Sequence, residues 1–135
     1  MSTKTIRVLV AEDDAANAQV ARTMLERLGC MVHVAVNGAE AIKLFSEGEY
    51  ELILMDWQMP VMDGFEATAR IRNMPRGRIT PIVGTTARMA RAECLAAGMD
   101  DLMPKPFLTK NLRVELSRWT TWADNVQPGP ARQEC

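Results

Sequence analysis

Leu52-Ile53-Leu54-Met55-Asp56 is four apolar residues closed by a carboxylate, and its reading decides the fold. The run is apolar on both faces, as the central strands of parallel sheets are. A carboxylate directly after a buried strand is costly unless something pairs with it. Working outward, Ile6-Arg7-Val8-Leu9-Val10 reads as a first strand, and it too runs into acids, Glu12, Asp13 and Asp14. Residues 31–36 read as the second strand, 51–55 as the third, 81–84 as the fourth and 101–103 as a short fifth.

Helical patterns separate these strands. Val20, Met24, Leu25 and Leu28 recur at helical spacing, and Gly29 stops that helix. Asn37 caps a helix carrying Ala41, Ile42 and Phe45, which Gly48 ends. Asp63, with Glu66 three residues on, forms a capping-box pattern before Phe65, Ala69 and Ile71. Residues 89–97 read as helical with Gly98 as the stop, and Leu112, Leu116 and Trp119 mark a final helix. Five strand–helix units predict an open parallel α/β sheet covered on both faces. Ligands of such sheets bind beyond the carboxyl ends of the strands. Asp56, Glu12, Asp13 and Asp14 fall at that edge, as do Thr85 and Thr86 after the fourth strand and Lys105 after the fifth.

The chain has 135 residues, 47% apolar and 24% charged, which suits one soluble domain. Nothing in the charge balance suggests nucleic-acid binding by bulk charge: 16 Lys and Arg stand against 17 Asp and Glu, a net charge of −1. Cys30, Cys94 and Cys135 have no metal-site spacing and read as reduced thiols. No apolar stretch approaches the ~20 residues that span a bilayer, and Met1-Ser2-Thr3-Lys4-Thr5 lacks the apolar core of a signal peptide. A cytoplasmic protein, or the cytoplasmic part of a larger one, is expected, with no membrane contact by this segment. The domain is expected over residues 1–122. Residues 123–135, polar and carrying Pro128-Gly129-Pro130, read as a flexible tail or linker.

An acid cluster with one cation beside it suits a divalent metal and a phosphoryl group. Mg²⁺ takes oxygen ligands, a carboxylate can attack phosphorus, and phosphoryl transfer mainly needs positioning and charge neutralisation. A lysine holds a phosphate oxygen as a point charge, and a threonine hydroxyl donates to another. Asp13, Asp56, Thr86 and Lys105 cover those tasks.

Four blocks in order carry a family resemblance across roughly residues 5–120: Val8-Leu9-Val10-Ala11-Glu12-Asp13-Asp14, Met55-Asp56-Trp57-Gln58-Met59-Pro60-Val61-Met62-Asp63-Gly64, Pro81-Ile82-Val83-Gly84-Thr85-Thr86-Ala87, and Lys105-Pro106-Phe107. The chain resembles the response-regulator receiver domain of two-component phosphorelays. The resemblance implies a flavodoxin-like doubly wound sheet of five parallel strands and five helices, a (βα)5 arrangement. It implies that Asp56 is the phosphoacceptor and that Asp56, Thr86 and Lys105 are the catalytic set. Glu12, Asp13, Asp56 and the backbone carbonyl of Gln58 would serve an Mg²⁺ ion, Glu12 mostly through water. Thr86, the Ala87 amide and Lys105 would bind the phosphoryl group, and the Lys105–Pro106 bond would be cis. The donor would be a histidine kinase or histidine phosphotransfer domain, and the receiver a monomer or weak dimer. Receivers usually carry an aromatic switch residue three positions before this lysine, where this chain has Leu102. Gln58 and Arg88 stand where receivers tune hydrolysis of the phosphate. Within the family, Glu12-Asp13-Asp14 with Asn17, and residues 98–106, look like receivers fused to hybrid histidine kinases.

Other readings compete. Glu12, Asp13 and Asp14 also suit a loop and helix cap. Asp56 suits a turn before Pro60, and Lys105 a surface charge in a rigid loop. His33 sits in a strand pattern and reads as structural, and the ten methionines as filler. A metal-dependent phosphatase of the haloacid-dehalogenase type would need a second Asp where Gln58 stands. A binding module that never takes phosphate would not need the intact acids, Thr86 and Lys105. Nucleotide binding lacks a Gly-rich loop after the first strand.

Overall fold

The computed structural model describes residues 5–88 and 90–125. Strands β1 (Arg7–Ala11), β2 (Met31–Ala35), β3 (Leu52–Asp56), β4 (Ile82–Thr86) and β5 (Asp101–Pro104) alternate with helices α1 (Ala15–Arg27), α2 (Gly38–Glu47), α3 (Gly64–Arg72), α4 (Arg91–Ala96) and α5 (Thr109–Trp119). A single turn, α6 (Trp122–Asn125), follows. The strands form one sheet in the order β2-β1-β3-β4-β5, and every pair is parallel. This is the flavodoxin-like doubly wound order, with its reversal between β1 and β3.

Period-two alternation splits the strands between two cores. Leu9, Ala11, Ile53 and Met55 join Phe45 of α2, Ala67 and Ile71 of α3, and Cys94 of α4. Val8, Val10, Leu52 and Leu54 join Ala21 and Leu25 of α1 and Leu112 and Leu116 of α5. All five residues of β3 are buried, so its apolar run is consumed by both layers. Truncating Ile53 or Leu54 to Ala would cost about 2–5 kcal/mol.

The helix starts follow their capping residues. Asn37 accepts from the Glu40 amide and Asp63 from the Glu66 amide, each bond worth about 1 kcal/mol. The capping box at Asp63 is only half made, because the Glu66 carboxylate turns to Arg70 at 2.9 Å. Gly29 and Gly98 adopt left-handed φ of 90° and 98° and end α1 and α4 as glycines do.

Three boundaries differ from the sequence reading. β4 runs on through Thr85 and Thr86, which were expected beyond the strand; ladder bonds to β3 and β5 outweigh their turn preference. α4 starts at Arg91 rather than residue 89, and its N-cap, Ala90, has no side-chain acceptor to offer. After a break at residues 120–121, the single turn α6 includes residues 123–125, where a tail was expected. The reason is Trp122: its indole donates to the Leu28 carbonyl at 2.7 Å and its amide to Thr120 Oγ1 at 3.0 Å. The rest of that expected tail, residues 126–135, lies outside the described residues.

Candidate functional site

The register places the acids. Ala11 of β1 lies opposite Met55 of β3, so Glu12 and Asp56 leave adjacent strands side by side at the topological reversal. Glu12 is 1% and Asp56 4% exposed, whereas Asp13 is open to solvent. One carboxylate oxygen from each of the three lies within 4.8 Å of the others.

The strand β4 brings the second group. Asp56 is opposite Thr85, and the Trp57 amide continues the ladder to the Thr85 carbonyl at 3.2 Å. Thr86 is next along and nearly buried, its Oγ1 accepting from the Arg88 amide at 3.1 Å. Ala87 follows, exposed at the end of the strand. The Lys105 amide donates to the Thr86 carbonyl at 3.0 Å, which swings the chain after β5 over the site. The Lys105–Pro106 bond is cis. Lys105 Nζ lies 2.8 Å from Glu12 Oε1 and 3.1 Å from Asp56 Oδ1.

Past β3 the chain folds back tightly. The Gln58 amide donates to Asp56 Oδ1 at 3.2 Å, and the Gly64 amide to the Trp57 carbonyl at 3.1 Å. A Cβ on Gly64 would stand 2.1 Å from the Asp56 carbonyl oxygen, so only glycine permits this approach.

Charge sets the protonation. Burial, then repulsion from Glu12, pushes the Asp56 carboxyl up to about 6, against the pull of Lys105 and the Gln58 amide. Burial works to lower Lys105, but its hydrogen bonds to Glu12 and Asp56 win and raise it. At neutral pH Asp56 is therefore largely ionised beside a charged lysine. Three carboxylates face one ammonium, and Glu12 Oε1 has no hydrogen-bond partner beyond its ion pair with Lys105. An all-oxygen donor set with excess negative charge fits a hard divalent cation.

The response regulator receiver domain family matches residues 8–117. This chain belongs to that family. The receiver is 43% identical over 124 residues to hybrid signal transduction histidine kinase G of Dictyostelium discoideum, covering 87% of this chain and 4% of that kinase. It is 42% identical over 126 residues to two-component response regulator ORR41 of Oryza sativa subsp. japonica, covering 88% of this chain and 98% of that protein. Among solved structures, the receiver domain of sensor histidine kinase PA1611 from Pseudomonas aeruginosa has a TM-score of 0.80 at 37% identity, over 86% of this chain and 98% of that one. That structure holds a magnesium ion in its active-site cleft. The receiver domain of Ssk1 from Saccharomyces cerevisiae, solved with the histidine phosphotransfer protein Ypd1, has a TM-score of 0.79 at 28% identity, over 88% and 91% of the two chains. The receiver spans 4%, 7% and 16% of the first three curated signalling proteins it matches.

The receiver site brings Glu12, Asp13, Asp56, Thr86 and Lys105 to one sheet edge, with Gln58 beside Asp56. Asp14 is not among them: its carboxylate caps α1 by accepting from the Asn17 amide at 2.9 Å. Leu102 is buried opposite Gly84, in the core that holds Trp57, Cys94 and Met99. Two arrangements escaped the sequence reading. The direct Glu12–Lys105 bond has no sequence signal, since it joins residues 93 positions apart by packing alone. The second is a charge cluster on the far edge, where Arg91 and Arg118 reach Asp101 at 2.7 and 2.6 Å and Glu115 accepts from Trp119 at 2.8 Å. Glu115 between Leu112 and Leu116 on an apolar stripe was the available clue.

Proposed function

We propose that this receiver accepts a phosphoryl group on Asp56 from a phosphohistidine of a histidine kinase or histidine phosphotransfer domain. An ionised Asp56 oxygen attacks phosphorus, the bond from phosphorus to the imidazole nitrogen breaks, and that electron pair leaves with the imidazole. The product is an aspartyl phosphate, a mixed anhydride that water later hydrolyses slowly. The observation that carries this reading is the pairing of a buried Asp56 with Lys105 at 3.1 Å inside a cluster of three carboxyl groups.

Lys105 holds a phosphoryl oxygen as a point charge. Thr86 and the Ala87 amide donate to the others from the end of β4. Asp13, Asp56, the Gln58 carbonyl and, through water, Glu12 would hold Mg²⁺. When bound, that ion offsets the repulsion between the attacking carboxylate and the anionic donor. The receiver thus catalyses its own phosphorylation, and added phosphate charge biases the surface it presents. We place it in the cytoplasm, as a monomer or weak dimer that does not bind nucleic acid, in a hybrid histidine kinase, with the chain beyond α6 serving as linker.

The test is incubation with acetyl phosphate and Mg²⁺ followed by intact mass. The wild type gains one phosphate, and Asp56→Ala gains none. An unmodified wild type, or an adduct that survives in Asp56→Ala, rejects the assignment.

A further inference from the structure

With Leu102 buried and aliphatic, the acceptor site needs another route to α4. Arg88 offers one. Its amide donates to Thr86 Oγ1 at 3.1 Å, its guanidinium carbon lies 5.2 Å over the Trp57 ring, and its Nη1 reaches Glu93 Oε1 of α4 at 2.7 Å. One residue thus touches the neighbour of the acceptor, a phosphate-facing hydroxyl and the helix. Trp57 is itself locked in place. Its indole is 2% exposed and packs on Phe65 at 4.9 Å between ring centroids. It lies against Gly84, where a Cβ would come within 2.4 Å of its Nε1 and 2.6 Å of Met99 Sδ. That Nε1 is buried with no hydrogen-bond partner among the described residues. Buried donors left unpaired are rare and ask for an explanation.

Resting on the phosphoacceptor reading, we infer that Arg88, braced on Trp57 and tied to Glu93, transmits phosphorylation of Asp56 to α4. The Thr86 hydroxyl that turns to donate to a phosphoryl oxygen gives up the Arg88 amide. Arg88 then shifts at its backbone while its guanidinium stays on the rigid Trp57 face, and the Glu93 bond carries the shift into the helix. α4 is suited to respond. It has six residues and no side-chain N-cap, and its side-chain bonds to β5 both reach Asp101: Arg91 to the carboxylate at 2.7 Å and Cys94 Sγ to the carbonyl at 3.0 Å. Arg88 and Glu93 are each more than half exposed, so their bond is weak alone and sensitive to salt. A weak tie on a short helix can be redirected by one hydroxyl.

The experiment compares amide exchange over residues 91–96 with and without acetyl phosphate and Mg²⁺, in the wild type, Glu93→Gln and Arg88→Ala. Intact mass gives the phosphorylated fraction of each sample. The wild type is expected to change its α4 exchange on phosphorylation. Glu93→Gln is expected to take phosphate as the wild type does, with its α4 response per phosphorylated molecule reduced about twofold or more. Arg88→Ala, normalised in the same way, should behave alike. A purely structural Arg88–Glu93 bond would alter α4 in both states and leave the phosphate-dependent difference whole. A full response in both variants, or no α4 response in the phosphorylated wild type, overturns the inference. Absence of any adduct on the wild type rejects the phosphoacceptor reading instead, and mass alone reports that.

Discussion

Asp56 is held in its charged form at a cost to the fold. Burial and the Glu12 charge raise its carboxyl to about 6, so folding favours the protonated form. The penalty is absent well below the ordinary carboxyl range, builds as pH rises through about 4 to 6, and is full above that. Asp56→Asn removes the titrating group and leaves Lys105 with Glu12. Chemical denaturation at pH 8 should therefore find Asp56→Asn more stable than the wild type by about 1–2 kcal/mol. At pH 4 the gain should nearly vanish. A variant less stable at pH 8 would show that the Lys105 bond outweighs the repulsion. Gly84→Ala tests the neighbouring fit: its Cβ would meet Trp57 and Met99, and overpacking should destabilise by about 1–3 kcal/mol in the same assay. A neutral result would mean the indole is free to move.

At the scale of elements, the edge joining α4, β5 and α5 rests on a second buried acid pair. Burial, then the Asp101 carboxylate beside it, pushes Glu115 up to about 7. Asp101 is lowered overall, as hydrogen bonds from Arg91 and the Leu102 amide overcome its burial. Below about pH 7 Glu115 thus keeps its proton, and stability is lost as pH rises from the ordinary carboxyl range through about 7. Glu115→Gln keeps an acceptor for Trp119 and never ionises. It should gain about 1–2 kcal/mol over the wild type at pH 8.5 and a small fraction of that at pH 5. Equal gains at both pH values would assign the effect to packing. This pair also marks where sequence reasoning stops. The apolar runs of β1 and β3 and the caps at Asn37 and Asp63 are local signals, so the strands, helices and sheet edge were legible from them. That edge gathered Glu12, Asp13, Asp14, Asp56, Thr85, Thr86 and Lys105, and the family resemblance singled out Thr86 over Thr85. Contacts set by packing between distant segments, such as Lys105 on Glu12, Arg118 on Asp101 and Trp122 on Leu28, leave no local pattern. The Thr85–Thr86 boundary failed for a related reason: strand pairing on both sides overrides turn preference.

For the whole molecule, the acid cluster makes stability and metal occupancy one equilibrium. A cation that binds only the folded chain adds RT ln(1 + [L]/Kd), about 2.7 kcal/mol at a hundredfold excess over Kd. Glu12, Asp13 and Asp56 come together only when β1 and β3 pair, so the unfolded chain has no such site. Millimolar Mg²⁺ at pH 7.5 is expected to raise the midpoint of thermal unfolding, by on the order of 10 °C when the site is saturated, and a chelator should reverse it. Protons compete for the Asp56 carboxylate, whose pKa is about 6, so the same Mg²⁺ at pH 5 should give a distinctly smaller shift. Asp13→Asn, exposed and outside the core, should fold normally and lose most of the shift at both pH values. An equal shift at pH 5 and 7.5, or one retained in Asp13→Asn, would place the cation elsewhere on the molecule. No shift at pH 7.5 would mean that the cluster's excess negative charge is tolerated without a metal.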